Sequence, residues 1–109
     1  MMKSLSKREE EILLAIGCLG KNAYLVAIRK HLQKITGNEL SIGAVHIPLQ
    51  RLEKAGYLNS IMGDASAVRG GRRKKIYTIT YIGLEALRAN RKVYDVLWSE
   101  FLEETSTKR

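Results

Sequence analysis

One cysteine, Cys18, is the whole thiol inventory of this 109-residue chain. A single cysteine excludes an intrachain disulfide and any cysteine-based zinc cluster. The two histidines, His31 and His46, are too few and too far apart to suggest a metal site, so neither metal nor cofactor is expected. Proline occurs once, at Pro48. Acids are outnumbered: 11 Asp and Glu against 19 Lys and Arg leave a net charge of +8. No apolar run approaches the roughly 20 residues that span a bilayer. The opening Met-Met-Lys-Ser-Leu-Ser-Lys-Arg-Glu-Glu-Glu places three acids before the first apolar run, unlike a signal peptide. A cytoplasmic protein without a membrane partner is the expectation. No nucleophile, base and orienting group can be assembled into a set, and there is no phosphate-loop motif, so no catalysis is expected.

What is present fits one small domain. At 45% hydrophobic, the chain can build a compact core. It is too short for a core plus an elaborate catalytic cavity. A sequence pI of about 9.8 favours polyanions, nucleic acid before acidic membrane. There is no internal repeat and no low-complexity segment.

Local signals place three helices in the first half. Ser6 followed by Glu9 is a capping box, and Glu9, Glu10 and Glu11 suit a positive helix start, so a helix is predicted over 6–20. Leu5, Ile12, Ile16 and Leu19 share one face. Leu14 and Cys18 lie nearly opposite, so the helix is apolar on two sides and the second side suits another subunit. Cys18 is expected to be a small buried hydrophobe. Asn22 is the expected cap of a second helix over 22–35, with Tyr24 or Leu25, Ile28, Leu32 and Ile35 as its core stripe. Thr36-Gly37-Asn38 ends it. A third helix is capped by Ser41 and stopped by Gly56. Ile42, Val45, Leu49 and Leu52 form its buried face; Gly43, Ala44, Ile47, Gln50, Arg51 and Lys54 form the opposite one. Pro48 should bend this helix or shorten its start.

The segment 65–75 decides the reading. It carries Arg69, Arg72, Arg73, Lys74 and Lys75 around the adjacent Gly70 and Gly71. Strand-like stretches at 57–62 and 76–80 flank it, which makes a hairpin with a basic tip. The glycines let the backbone approach a partner, and the cations suit phosphates or a narrow minor groove. Thr80 then caps a fourth helix over 81–104. Its apolar positions are Leu84, Leu87, Val93, Tyr94, Leu97, Trp98, Phe101 and Leu102. Such a stripe projecting from a small body predicts a partner.

Three helices followed by a basic two-stranded hairpin is the order of a winged helix-turn-helix, mostly α with a small hairpin. Residues 1–80 would be the DNA-binding domain; 81–109 would be a C-terminal dimerisation helix and short tail within the same structural unit. The third helix would read the major groove. On its outward face Gly43 and Ala44 permit close approach, and Ser41 at the cap is counted with the DNA-binding set. Ile47 can touch a thymine methyl, Gln50 can pair with adenine, and Arg51 can pair with guanine or a phosphate. An ordinary amphipathic helix and a solvated basic loop are the bland alternatives.

Three segments resemble the PadR family of bacterial transcriptional regulators. The first is Leu-Ser-Ile-Gly-Ala-Val-His at 40–46, running into Leu-Gln-Arg-Leu-Glu-Lys-Ala-Gly-Tyr-Leu at 49–58. The second is Arg-Gly-Gly-Arg-Arg-Lys-Lys-Ile-Tyr-Thr-Ile-Thr at 69–80, and the third is Gly-Leu-Glu-Ala-Leu at 83–87. The likeness covers roughly 8–90 and is most specific in the wing. It implies a homodimeric DNA-binding regulator, usually a repressor, dimerised through the last helix and the first. Leu14, Cys18, Leu87, Tyr94, Leu97, Trp98, Phe101 and Leu102 are the corresponding interface candidates. The family usually carries a tyrosine that contacts the DNA backbone where His46 stands; His46 keeps a donor there. The family's frequent proline lies near Pro48 rather than at it. Some relatives bind flat ligands in an aromatic-lined dimer cavity, which makes Trp98 and Tyr94 candidates for an aromatic or cationic effector. Two competing readings are a winged-helix module that docks an acidic protein and a nonspecific nucleic-acid binder.

Overall fold

The computed structural model describes residues 4–63 and 73–107. Among them the order is α1 (Lys7–Leu19), α2 (Leu25–Thr36), α3 (Ile42–Lys54), β1 (Leu58–Met62), β2 (Lys75–Ile79) and α4 (Tyr81–Thr107). This is a winged helix with a C-terminal helix added.

The helix starts follow from their caps. The Glu9 amide donates to Ser6 Oγ at 3.1 Å, and the Ser6 amide donates to Glu9 Oε1 at 2.8 Å, which closes the capping box of α1. Ser41 Oγ accepts from the Ala44 amide at 3.1 Å and starts α3. Gly37 ends α2 at φ 74°, a left-handed backbone that glycine adopts without a Cβ clash.

Asn22 does not cap α2. It sits in a short 3-10 turn, Gly20–Asn22, and Tyr24 takes the cap position without a side-chain bond. The sheet explains the delay. The Tyr77 amide donates to the Ala23 carbonyl at 2.9 Å, and Tyr24 forms a bridge with Ile76. The chain at 23–24 must therefore be extended to lie along β2, and helix can begin only afterwards.

The core gathers Ile12, Leu13, Ile28, Val45, Leu49, Leu52 and Leu58, all fully buried. No polar or charged residue among those described is buried with them. Two predicted core positions are outside it. Ile35, in the last turn of α2, is 68% exposed, and Leu40 from the following loop joins the core instead. Arg29 Nε donates to the Leu40 carbonyl at 2.6 Å, and the Leu40 amide donates to Gln33 Oε1 at 2.9 Å, which pins the loop inward. Ile42, the first residue of α3, is also exposed. Pro48 is buried inside an unbroken helix and does not shorten its start. The carbonyl it cannot bond belongs to exposed Ala44, where water can satisfy it.

The two strands pair antiparallel, Leu58 opposite Ile79 and Met62 opposite Lys75. α4 leaves from the end of β2. Gly83 and Ala86 are buried, and Leu87 packs against the core. Asn90 Nδ2 lies 3.5 Å from the Leu5 carbonyl and 3.4 Å from Glu10 Oε2. Past Asn90 every described side chain is exposed. A helix of 27 residues is about 40 Å long, so its second half stands clear of the domain.

Candidate nucleic-acid interface

α3 separates its faces cleanly. Val45, Pro48, Leu49 and Leu52 are buried, while Ser41, Gly43, Ala44, Ile47, Gln50, Arg51 and Lys54 are all exposed. Ile47 is 54% exposed, an apolar side chain held in water amid cations and an amide. No atom lies within 4 Å of where a Cβ on Gly43 would stand, so a partner can approach the backbone there. Arg51 has only a 3.9 Å contact with Glu9 and stays mostly in solvent. All seven outward positions predicted on this helix or at its cap thus share one open surface.

The wing base lies beside it. Arg73 is exposed. Lys74 Nζ stands 3.8 Å from the centroid of the Tyr24 ring, a cation–π contact that holds the ammonium over the start of α2. His46 is half-buried; its Nδ1 is buried and has no hydrogen-bond partner among the described residues. His46, Lys74 and Lys75 line a shallow cleft of about 250 Å3 with Tyr24, Val26 and Tyr77. The Lys74 ammonium and the His46 imidazole in this cleft suit a backbone phosphate. The predicted tip residues Arg69, Gly70, Gly71 and Arg72 lie outside the described residues.

Lys75 differs from its neighbours. Its Nζ donates to Glu53 Oε1 at 2.9 Å, and Ser60 Oγ donates to Glu53 Oε2. The Ser60 bond, then the Lys75 bond, hold the Glu53 carboxyl below the usual carboxylate range. The Glu53 bond pushes the Lys75 ammonium above its ordinary value. Burial raises the Tyr77 phenol.

The interface candidates fall into separate places. Tyr94, Leu97, Trp98 and Phe101 come together on α4 and line a cleft of about 350 Å3. The Trp98 and Phe101 rings meet edge to face, with centroids 5.7 Å apart and planes at 88°. Leu102 is exposed beside them. Leu14 and Leu87 instead line a groove of about 730 Å3 between α1 and α4, with Arg88 and Asp95. Cys18 is exposed rather than buried, because it projects from the side of α1 away from the core. Among the described residues no cluster of His, Cys, Asp or Glu could hold a metal ion. No helix among them is long and apolar enough to cross a membrane.

The model of the Transcriptional regulator PadR-like family matches residues 13–89, the span from α1 into α4 that includes the open helix face and the wing. The chain belongs to that family. Solved PadR structures share its fold. A PadR family transcriptional regulator from Eggerthella lenta is 26% identical with a TM-score of 0.67, covering 92% of this chain and 85% of that one. A PadR family transcription regulator from Clostridium difficile is 20% identical with a TM-score of 0.66, covering 88% and 97%. A PadR-like transcriptional regulator from Bacillus cereus is 21% identical with a TM-score of 0.69, covering 89% of each chain. No curated protein sequence is a significant match. As a PadR-like protein the chain is a DNA-binding transcriptional regulator and not an enzyme.

Two residues of this PadR-like surface escape a reading from sequence. Tyr24 carries Lys74 on its ring, a pairing 50 positions apart that no local pattern reveals. Glu53 is the sole acid in α3, a signal that is visible in the sequence but gains meaning only from its two partners on the strands.

Proposed function

We propose that this PadR-like regulator is a homodimeric repressor of bacterial genes, working in the cytoplasm, that recognises a specific duplex site. Residues 1–80 bind the DNA and 81–109 dimerise. Gln50, Arg51 and Ile47 read base edges; Ser41, Gly43 and Ala44 let the start of α3 enter the major groove. Lys54, His46 and Lys74 take phosphates. Arg69, Gly70, Gly71, Arg72 and Arg73 carry the wing to the backbone or minor groove. Leu14, Cys18, Leu87, Tyr94, Leu97, Trp98, Phe101 and Leu102 supply the twofold contact. Tyr94 and Trp98 are the residues by which a planar aromatic or cationic effector would act.

The observation that carries this reading is the open face of α3 flanked by the cationic wing base. The +8 charge adds nonspecific attraction, which salt dependence measures. The test is a gel shift against the DNA upstream of the protein's own gene, with scrambled duplex as competitor. Retarded DNA that scrambled duplex fails to displace supports specific recognition. Equal displacement by both makes the protein a nonspecific binder.

A further inference from the structure

An acid on a DNA-facing helix is costly, because it repels phosphates at short range. Glu53 occupies the last turn of α3, one position before outward-facing Lys54, and it is the only acid in that helix. Its two oxygens are engaged by different strands. Ser60 Oγ of β1 donates to Oε2, and Lys75 Nζ of β2 donates to Oε1 at 2.9 Å. Ser60 lies opposite Tyr77 and Lys75 opposite Met62, so one carboxylate holds both strands close to where the wing tip departs.

We infer that Glu53 is a positioning residue for DNA binding: it fixes the wing to the reading helix through Ser60 and Lys75, and it withdraws Lys75 from the phosphate-binding set. Lys75 belongs by sequence to the same basic run as Arg73 and Lys74. Its ammonium is nevertheless neutralised by Glu53, whereas Lys74 sits on a neutral ring and keeps its charge available. Two adjacent lysines therefore have different tasks. The junction adds a side-chain tie between the strands and the last turn of α3 to the main-chain bonds that seat β2 at Ala23 and Thr80 at Tyr57.

The inference rests on the DNA-binding reading above, and its test separates the two. The full-length chain is titrated with the duplex retained in the gel shift, over a range of salt, as wild type, E53Q, S60A, K75M, the E53Q/K75M double variant and K74M. The salt slope counts phosphate contacts, at about 0.9 per contact. K74M is expected to lower the slope by about 0.9. K75M is expected to weaken binding about 2- to 5-fold with the slope unchanged, as for loss of an exposed ion pair. E53Q should lose a similar factor, and the double variant should be no worse than either single one. S60A breaks only one arm and guards against a folding defect in E53Q; it should weaken binding in the same direction. A slope loss of about 0.9 in K75M, or tighter binding by E53Q, overturns this assignment and leaves the function reading intact. Wild-type protein that binds no duplex overturns both.

Discussion

Thr80 Oγ1 donates to the Gly56 carbonyl at 2.7 Å, and this bond joins the start of α4 to the turn that ends α3. The same hydroxyl accepts from the Gly83 amide at 3.1 Å, and the Thr80 amide donates to the Tyr57 carbonyl at 3.1 Å. Gly83 lies so close beneath that a Cβ on it would overlap the Tyr57 carbonyl oxygen and meet Ile79 Cγ2 at 2.9 Å. Any tilt of α4 is thus imposed first on residues 56–57, at the foot of α3. In a dimer held by α4, the spacing of the two reading helices would be set through this joint.

Gly83→Ala should destabilise the fold by about 1–3 kcal/mol, the usual range for overpacking. Alanine in an open helix would gain up to about 1 kcal/mol over glycine, so the sign itself reports the clash. Thr80→Val keeps the shape and removes the hydroxyl; the lost cap should cost about 1 kcal/mol. Denaturant unfolding measures both. If Gly83→Ala were stabilising, α4 would not be seated on Tyr57 as described.

Gly43→Ala should separate stability from function. The site is open, so the fold should gain roughly 0.5–1 kcal/mol from the better helix former. The added methyl should obstruct approach to DNA, so affinity should fall while the melting temperature rises. Gln50→Ala should instead change which duplex is preferred, by about 1–3 kcal/mol at one base pair. Binding assays against single-base variants of the site distinguish the two effects. Affinity loss in Gln50→Ala without any change in preference would remove α3 as the reader.

The Glu53 junction predicts a pH dependence with a definite sign. The folded-state carboxyl is held below its ordinary value of 4.5, so its contribution is present above that value and is lost as pH falls through the lower folded value. Lys75 is raised above 10.5, so its share is present below that value and is lost as pH rises through the higher folded one. The stability gap between wild type and Glu53→Gln should therefore be constant near neutrality and close as pH falls through the lowered folded value. It should stay below about 1 kcal/mol, because both groups are partly solvated. Urea unfolding of the two proteins across pH checks it; a gap that widens on acidification contradicts the junction.

Much of the fold was legible because its signals are local. The capping box at Ser6 and Glu9, the Ser41 cap and the Thr80 cap each lie within three residues of the amide they serve. The α3 faces were legible because 3.6-residue periodicity alone sorts Val45, Leu49 and Leu52 from Ile47, Gln50 and Arg51. The misses are long-range. Asn22 loses its cap because Ala23 pairs with Tyr77, 54 positions away. Ile35 loses its core place to Leu40, which reaches inward only because Arg29 and Gln33 hold its backbone. Residue type alone predicts a buried Cys18, but its direction on α1 decides its environment and leaves it exposed in the single chain.

The aromatic stripe of α4 gives the last prediction. Trp98 is 59% exposed and Phe101 is 55% exposed in the single chain, and with Tyr94 and Leu97 they form one apolar surface on a projecting helix. Water should not be left against four such side chains, so the chain should sediment as a dimer at micromolar concentration. Trp98→Ala should weaken that dimer by at least about 2 kcal/mol, close to thirtyfold in its dissociation constant, if the indole is an interface anchor. Trp98 is the only tryptophan, so its emission reports the same event: blue-shifted in the dimer and red-shifted on dilution. A planar cationic dye seated between two symmetry-related indoles should quench that emission. It should also lower operator affinity, but only by the ratio of its affinities for the two dimer arrangements. A monomer at every concentration would leave the stripe without its proposed partner. Quenching with unchanged operator affinity would make Trp98 a packing residue and not a lever on the reading helices.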